Sequence, residues 1–342
     1  MENTTQGRFL EIDVLRGLAA SCVVVAHYTS YCLKHYGSVP FHVEGFYAFY
    51  AVKLFFIISG FVIYFTIDRS KTWVDFAFSR ATRLYPAHWA ALTIWVATQA
   101  VATHEPMWWG GYITNLTMFQ EYLGFPNLDF VYWSLTVELA FYMVMAVLLA
   151  SGLIKHFEMI AAAWLLLACT WALFERNLGI SLPAFLPRWL ILPHAPFFIA
   201  GVMFYLIHSR GAVASRVGLI VAALVTIGWV DGIENLVVSF GMFTLVGLAL
   251  RGRLSFLVSP VTIWLGTISY PLYLIHRNLG YAAMDWMHSR DIPVWLLLIV
   301  TLVGALALGS LLSYGVERPA SRILRRWYRT RRVPAAPSSV QH

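Results

Sequence analysis

Residues 46–67 read FYAFYAVKLFFIISGFVIYFTI, with Lys53 as the only formally charged side chain. As a helix rising about 1.5 Å per residue, this stretch is about 33 Å long. A bilayer's hydrocarbon core is about 30 Å thick. The rest of the chain repeats the pattern in apolar blocks of about 20 residues, the length of a membrane-spanning helix. Of the 342 residues, 59% are hydrophobic and 12% are charged, against roughly 25% charged in soluble domains. A soluble domain of this length needs a charged outer face, which so few charges do not supply. A β-barrel would show short alternating segments, and none are present. Helices satisfy their own backbone groups in lipid. The expected fold class is therefore all-α, a polytopic integral membrane protein.

The pattern predicts about ten transmembrane helices, at 12–34, 46–67, 83–103, 132–151, 158–174, 195–209, 214–231, 234–250, 260–282 and 292–315. They form one transmembrane domain, 1–332, with a disordered tail from Val333 to His342 and no internal repeat. Lysine and arginine set the orientation. With the N-terminus inside, 17 of the 24 fall in cytoplasmic segments, seven of them between Arg318 and Arg332. Lys34, Arg176, Arg188 and Arg290 fall outside, and Arg16, Lys53 and Arg277 lie within spans. The expected topology is thus N-in, C-in. The net charge of +7 is explained by anionic headgroups of the inner leaflet and requires no nucleic acid. No cleavable leader is expected, because Glu11 and Asp13 precede the first block and that block is long enough to span. Cys22, Cys32 and Cys169 lack metal-ligand spacing and are expected to be small core residues.

Ionisable groups within spans are costly and by default mark function. Arg16 and His27 stand eleven residues apart, three helical turns plus about 20°, so they share one face about 16 Å apart along the axis. Counting turns from the outer ends puts Lys53, Glu138 in WSLTVELAFY and His276 in ISYPLYLIH at the depth of His27. These four residues are expected around one cavity, with a structural Lys53–Glu138 ion pair as the bland alternative. At the inner end, Arg80 and Arg83 emerge three residues apart on one face at the start of the third helix. With Arg16 they form an anion-binding mouth, since guanidiniums bind phosphates bidentately. Glu317 in GVERPASR lies near this level and can pair with one of them.

A phosphate-binding inner mouth and a histidine farther out fit cytoplasmic acyl-CoA as a donor substrate. Its extended thiol arm is comparable in length to the rise of about 16 Å from Arg16 to His27. His27 is the candidate general base or acyl-carrying nucleophile, with Glu138 orienting or charge-balancing its imidazole. No GxSxG, HExxH or P-loop motif competes, and no metal is expected. Trp133, Tyr142 and Tyr270 are expected cavity-lining aromatics, able to stack on a sugar ring and equally compatible with the rival readings below, and Ser134 is a further supporting residue.

In order along the chain, IDVLRGLAASCVVVAH, VKLFFIISGFVI, Arg80-x-x-Arg83, WSLTVELAFY, ISYPLYLIH and VERP resemble the membrane acyltransferase 3 family over nearly the whole length. The resemblance implies O-acylation, usually O-acetylation from acetyl-CoA, of an extracytoplasmic or lipid-linked glycan at a bacterial inner membrane. It implies an essential histidine at His27 and functional roles for Arg16, Arg80, Arg83, Glu138 and Glu317. Membrane lipid and a polysaccharide assembly complex are the further expected partners. Lys53 departs from the pattern, standing where the family commonly has an acidic residue. No second esterase-like domain of the kind some members carry is expected, so either the chain completes the transfer alone or a separate protein receives the acyl group. The rival readings are a transporter or flippase for a glycan or lipid intermediate, a structural scaffold in polysaccharide assembly, and an acyltransferase for a small molecule or lipid.

Overall fold

The computed structural model describes residues 9–103, 108–179 and 185–332. Every regular element among them is helical. In chain order they are α1 (Leu10–Tyr36), α2 (Gly45–Ile67), α3 (Trp73–Thr103), α4 (Trp109–Leu116), α5 (Trp133–Ala150), α6 (Phe157–Ala172), α7 (Phe185–Trp189), α8 (Ala195–Arg210), α9 (Ala214–Asp231), α10 (Ile233–Leu250), α11 (Pro260–His288), α12 (Val294–Leu312) and α13 (Arg318–Arg332). Each of the ten expected segments falls on one of these helices, while α4, α7 and α13 were not expected as helices. The tail from Val333 to His342 lies outside the described residues.

Among the described residues six helices are long and apolar enough to cross a membrane: α2, α5, α6, α9, α10 and α12, some with flanking turns. The other four long helices differ for a physical reason. Polar side chains, charged and uncharged, interrupt the apolar runs of α1, α3 and α11, and α8 is short and enclosed on nearly every side. A helix shielded by other helices can carry polar groups that a lipid-facing one cannot. α2 lies at the centre, with 78% of its apolar window buried, against 28% for α9, α10 and α12. Those peripheral helices expose Val225, Phe240, Val303 and Leu311, an apolar outer surface suited to lipid.

Two backbone-to-backbone contacts set the registers that matter for the site. A Cβ on Gly17 would lie 2.5 Å from the Gly266 nitrogen, so α1 and α11 touch directly. A Cβ on Gly60 would lie 2.1 Å from the Phe198 carbonyl oxygen, so α2 and α8 do the same. Small residues at such crossings let helices in lipid pack closely. Gly17→Val is expected to destabilise the protein by about 3 kcal/mol, lowering its thermal midpoint in detergent. An unchanged midpoint would contradict the close contact.

The C-terminal segment repairs two breaks in the bundle. Proline has no N–H, so Pro86 in α3 frees the Thr82 carbonyl and Pro271 in α11 frees that of Thr267. Ser321 Oγ donates to the Thr82 oxygen at 2.6 Å, and Ser313 Oγ donates to the Thr267 oxygen at 3.4 Å. α13 also packs along the start of α3, where Tyr328 stacks on Phe78 and donates to Asp75 at 3.0 Å. α3 itself begins at Trp73, ten residues before its expected start at 83. Thr72 and Asp75 cap its first turn reciprocally, the pattern of a capping box. Arg80 and Arg83 therefore lie well inside the helix rather than at its first turn. Between α12 and α13, Ser313–Glu317 forms a wider π-type turn, a distortion often found at functional sites.

Candidate active site

Two cavities lie end to end inside the bundle. The inner one, about 120 Å³, is lined by Arg16 of α1, Ser59 of α2, Arg80 and Arg83 of α3, Ser134, Glu138 and Tyr142 of α5, and Ser269 and Tyr270 of α11. The outer one, about 490 Å³, is lined by His27, Phe49, Phe130, Trp133 and His194. Val52 and Tyr273 line both, so the cavities meet there. Arg16 and His27, on one face of α1, thus belong to successive chambers.

The inner chamber concentrates positive charge. Arg16 Nε donates to Ser269 Oγ at 3.0 Å, a second Arg16 nitrogen donates to the Gly266 carbonyl at 2.8 Å, and the guanidinium pairs with Asp13 at 2.9 Å. Arg83 forms an ion pair with Glu317, presented by the π-type turn. Arg80 is different. Among the described residues its one hydrogen bond is to Ser79 Oγ at 3.4 Å, and its Nε is buried without a partner. Among the described residues no carboxylate stands within ion-pair distance of it. Glu138 accepts from Ser59 and Tyr142, each at 2.5 Å. A cation without a counterion, beside two others fixed in place, suits a phosphate-bearing ligand.

In the outer chamber the hydrogen-bond pattern fixes the state of the histidines. His276 Nδ1 lies 2.8 Å from the Tyr273 carbonyl oxygen, which can only accept, so this nitrogen carries the proton. In a neutral ring its Nε2 is then an acceptor, and His27 Nδ1, 2.9 Å away, must donate to it. The lone pair of His27 is thereby assigned to Nε2, the atom free to act as base or nucleophile. The two rings lie nearly parallel, 10° apart in plane and 5.1 Å between centroids. Tyr28 OH donates to the His276 carbonyl at 2.8 Å and Tyr281 OH to the His27 carbonyl at 3.4 Å, tying α1 and α11 together at this level. The arrangement has the logic of a base oriented by a second group.

The structure brings Arg16, Arg80, Arg83 and Glu317 together at one end, and His27 and His276 at the next level. It does not gather His27, Lys53, Glu138 and His276 around one cavity. Glu138 lines the inner chamber and bonds Ser59 and Tyr142, so His276, not Glu138, orients His27. The turn count misled because α5 begins level with His27: Phe130, Val131 and Trp133 at its start line the outer chamber with that histidine, so Glu138 falls farther in. Lys53 pairs with Asp231 at 2.8 Å and with Asn235 at 2.9 Å, not with Glu138, and lines neither chamber. Of the three aromatics expected to meet a sugar, Trp133 alone lines the outer chamber. Tyr142 and Tyr270 line the inner one, where Tyr270 OH donates to the Leu84 carbonyl at 2.9 Å. Ser134 Oγ lies 2.7 Å from the hydroxyl of Tyr273. Ser59, Tyr273 and His194 were missed by the sequence reading. The one available signal was His194 itself, an imidazole just before the apolar run of α8.

The fold and site define a multi-pass helical membrane protein with an arginine-lined chamber beside a histidine pair. A family model described as an acyltransferase domain matches residues 9–314, and the chain belongs to this acyltransferase 3 family. Neither a curated protein nor a solved structure matches it. The family consists of acyltransferases, so the chain is an acyltransferase of groups other than aminoacyl, and the enzyme reading holds over a transporter or a scaffold.

Proposed function

We propose that the protein moves an acyl group, in the first instance acetyl, from cytoplasmic acyl-CoA to a hydroxyl of an extracytoplasmic or lipid-linked glycan, such as a surface polysaccharide. In this reading the chain crosses the bacterial cytoplasmic membrane ten times with both ends inside. The observation that carries the proposal is the meeting of the two chambers at Val52 and Tyr273, with arginines on one side and His27 on the other. Arg16, Arg80 and Arg83 would hold the donor's phosphates, and its thiol arm would run outward along α1. His27 Nε2 accepts the proton of the acceptor hydroxyl as that oxygen attacks the thioester carbonyl. The C–O ester bond forms and the C–S bond breaks. The proton on His27 passes to the leaving thiolate, giving coenzyme A and the O-acyl product.

The test compares the host's surface glycan by NMR with and without the gene. It is paired with purified protein in nanodiscs, supplied with acetyl-CoA and that glycan. The expected results are O-acyl signals lost on deletion and thioester consumed in step with ester formed. An unchanged glycan and an intact thioester would reject the proposal.

A further inference from the structure

His194 stands immediately before α8, facing the outer chamber beside His27. Its ring is held between Phe56, 5.2 Å between centroids, and Trp133, at 5.6 Å. Its Nδ1 is buried without a hydrogen-bond partner, and among the described residues no group bonds its Nε2. A polar atom in this state is costly to the folded protein and calls for an explanation. Nδ1 is sealed from the chamber, whereas Nε2 is not, so the nitrogen whose bonding a ligand in a chamber of this size can complete is Nε2.

The chamber also limits what that ligand is. None of its lining side chains carries a fixed charge, and the two nearby cations are already matched, Lys53 by Asp231 at 2.8 Å and Arg277, over the Phe130 ring, by Asp129 at 3.7 Å. Phe49, Phe130 and Trp133 supply apolar faces. We infer that the outer chamber receives an uncharged sugar ring, and that His194 hydrogen-bonds one of its hydroxyls and so selects which other hydroxyl meets His27. This inference rests on the acyl-CoA-to-glycan reading above and adds that the accepted sugar is uncharged and which residue reads it.

The experiment uses the full chain in nanodiscs with acetyl-CoA and a panel of methyl glycosides, neutral hexosides and the matching hexuronide. The neutral hexosides are expected to be acetylated, with the hexuronide about tenfold poorer in kcat/KM. His194→Phe keeps a ring but no hydrogen-bonding atom. It should raise the hexoside KM about tenfold, with kcat within about threefold. His194→Gln, which both donates and accepts, should restore most of the loss. Coenzyme A binding by calorimetry checks that each variant is folded. If His194→Phe fails that check, the glutamine variant decides, by near-wild-type KM and altered hydroxyl selection in the product's NMR spectrum. An unchanged KM in a folded His194→Phe, an effect confined to kcat, a preference for the hexuronide, or wild-type acceptance of no neutral hexoside overturns the inference. A wild type that consumes no thioester even with the host glycan rejects the underlying acyl-CoA reading, which separates the two failures.

Discussion

Replacing His27 with alanine is expected to lower acyl transfer by about 10²–10⁴-fold, the usual contribution of a positioned acid–base group, while coenzyme A still binds. The chambers explain the separation: Arg16, Arg80 and Arg83 lie in the inner one, and His27 lies in the outer one. The hydrogen bond from His27 to His276 adds a second expectation. His276→Phe removes the acceptor that assigns the His27 proton to Nδ1, so His27 is free to adopt the wrong tautomer. Transfer should fall by about 10²-fold or more, and His276→Gln, whose amide oxygen can accept, should recover part of it. Rates measured with radiolabelled acetyl-CoA at saturating donor would check both. If His276→Phe transfers at the wild-type rate, the orienting role is wrong. If His27→Ala also loses coenzyme A binding, the division of labour between the chambers is wrong.

The arginines of the inner chamber are expected to behave differently from one another. Arg80 has no carboxylate partner among the described residues, so Arg80→Ala removes a charge that they do not use among themselves. Losing a charge-assisted hydrogen bond of about 1.5–3 kcal/mol weakens coenzyme A binding by about 10–100-fold, with little change in thermal stability. Arg83→Ala strands Glu317, whose side chain is 7% exposed. Breaking a buried pair on one side costs about 3–5 kcal/mol, so this variant should unfold more readily whatever it does to the donor. Adding Glu317→Gln should recover most of that stability. Calorimetry with coenzyme A, alongside thermal unfolding of the same samples, separates the two effects. Wild-type affinity in Arg80→Ala would remove the phosphate role from the arginine best placed to have it.

The helices were legible because hydropathy reports them directly: a run such as 46–67 has few other ways to fold. The Arg16–His27 relation was legible because both residues lie on one helix, where spacing alone fixes direction and rise. Partnerships between helices were much less so. Lys53 pairs with Asp231, 178 positions away, and nothing local to either residue announces it. Glu138 was placed too near the outer surface because depth was counted from the end of its helix, and that end is itself level with His27. The early start of α3 was readable in Thr72-x-x-Asp75 but was overlooked in favour of the apolar run that begins later. His194 gave no motif. Its interest comes only from the three-dimensional fact that its nitrogens find no partner among the described residues.

The direct contact of Gly17 with Gly266 has a consequence for how this chemistry can vary among related sequences. It locks two parallel scales together, Arg16 to His27 on α1 and Gly266 to His276 on α11. A one-residue insertion within either interval would swing the distal histidine by about 100° around its helix and part the two imidazoles. The loops outside these helices face no such constraint. Insertions and deletions should therefore accumulate between the helices and be purged from residues 16–27 and 266–276, so that the length of these two intervals is a stricter signature of the chemistry than the identity of the apolar residues within them.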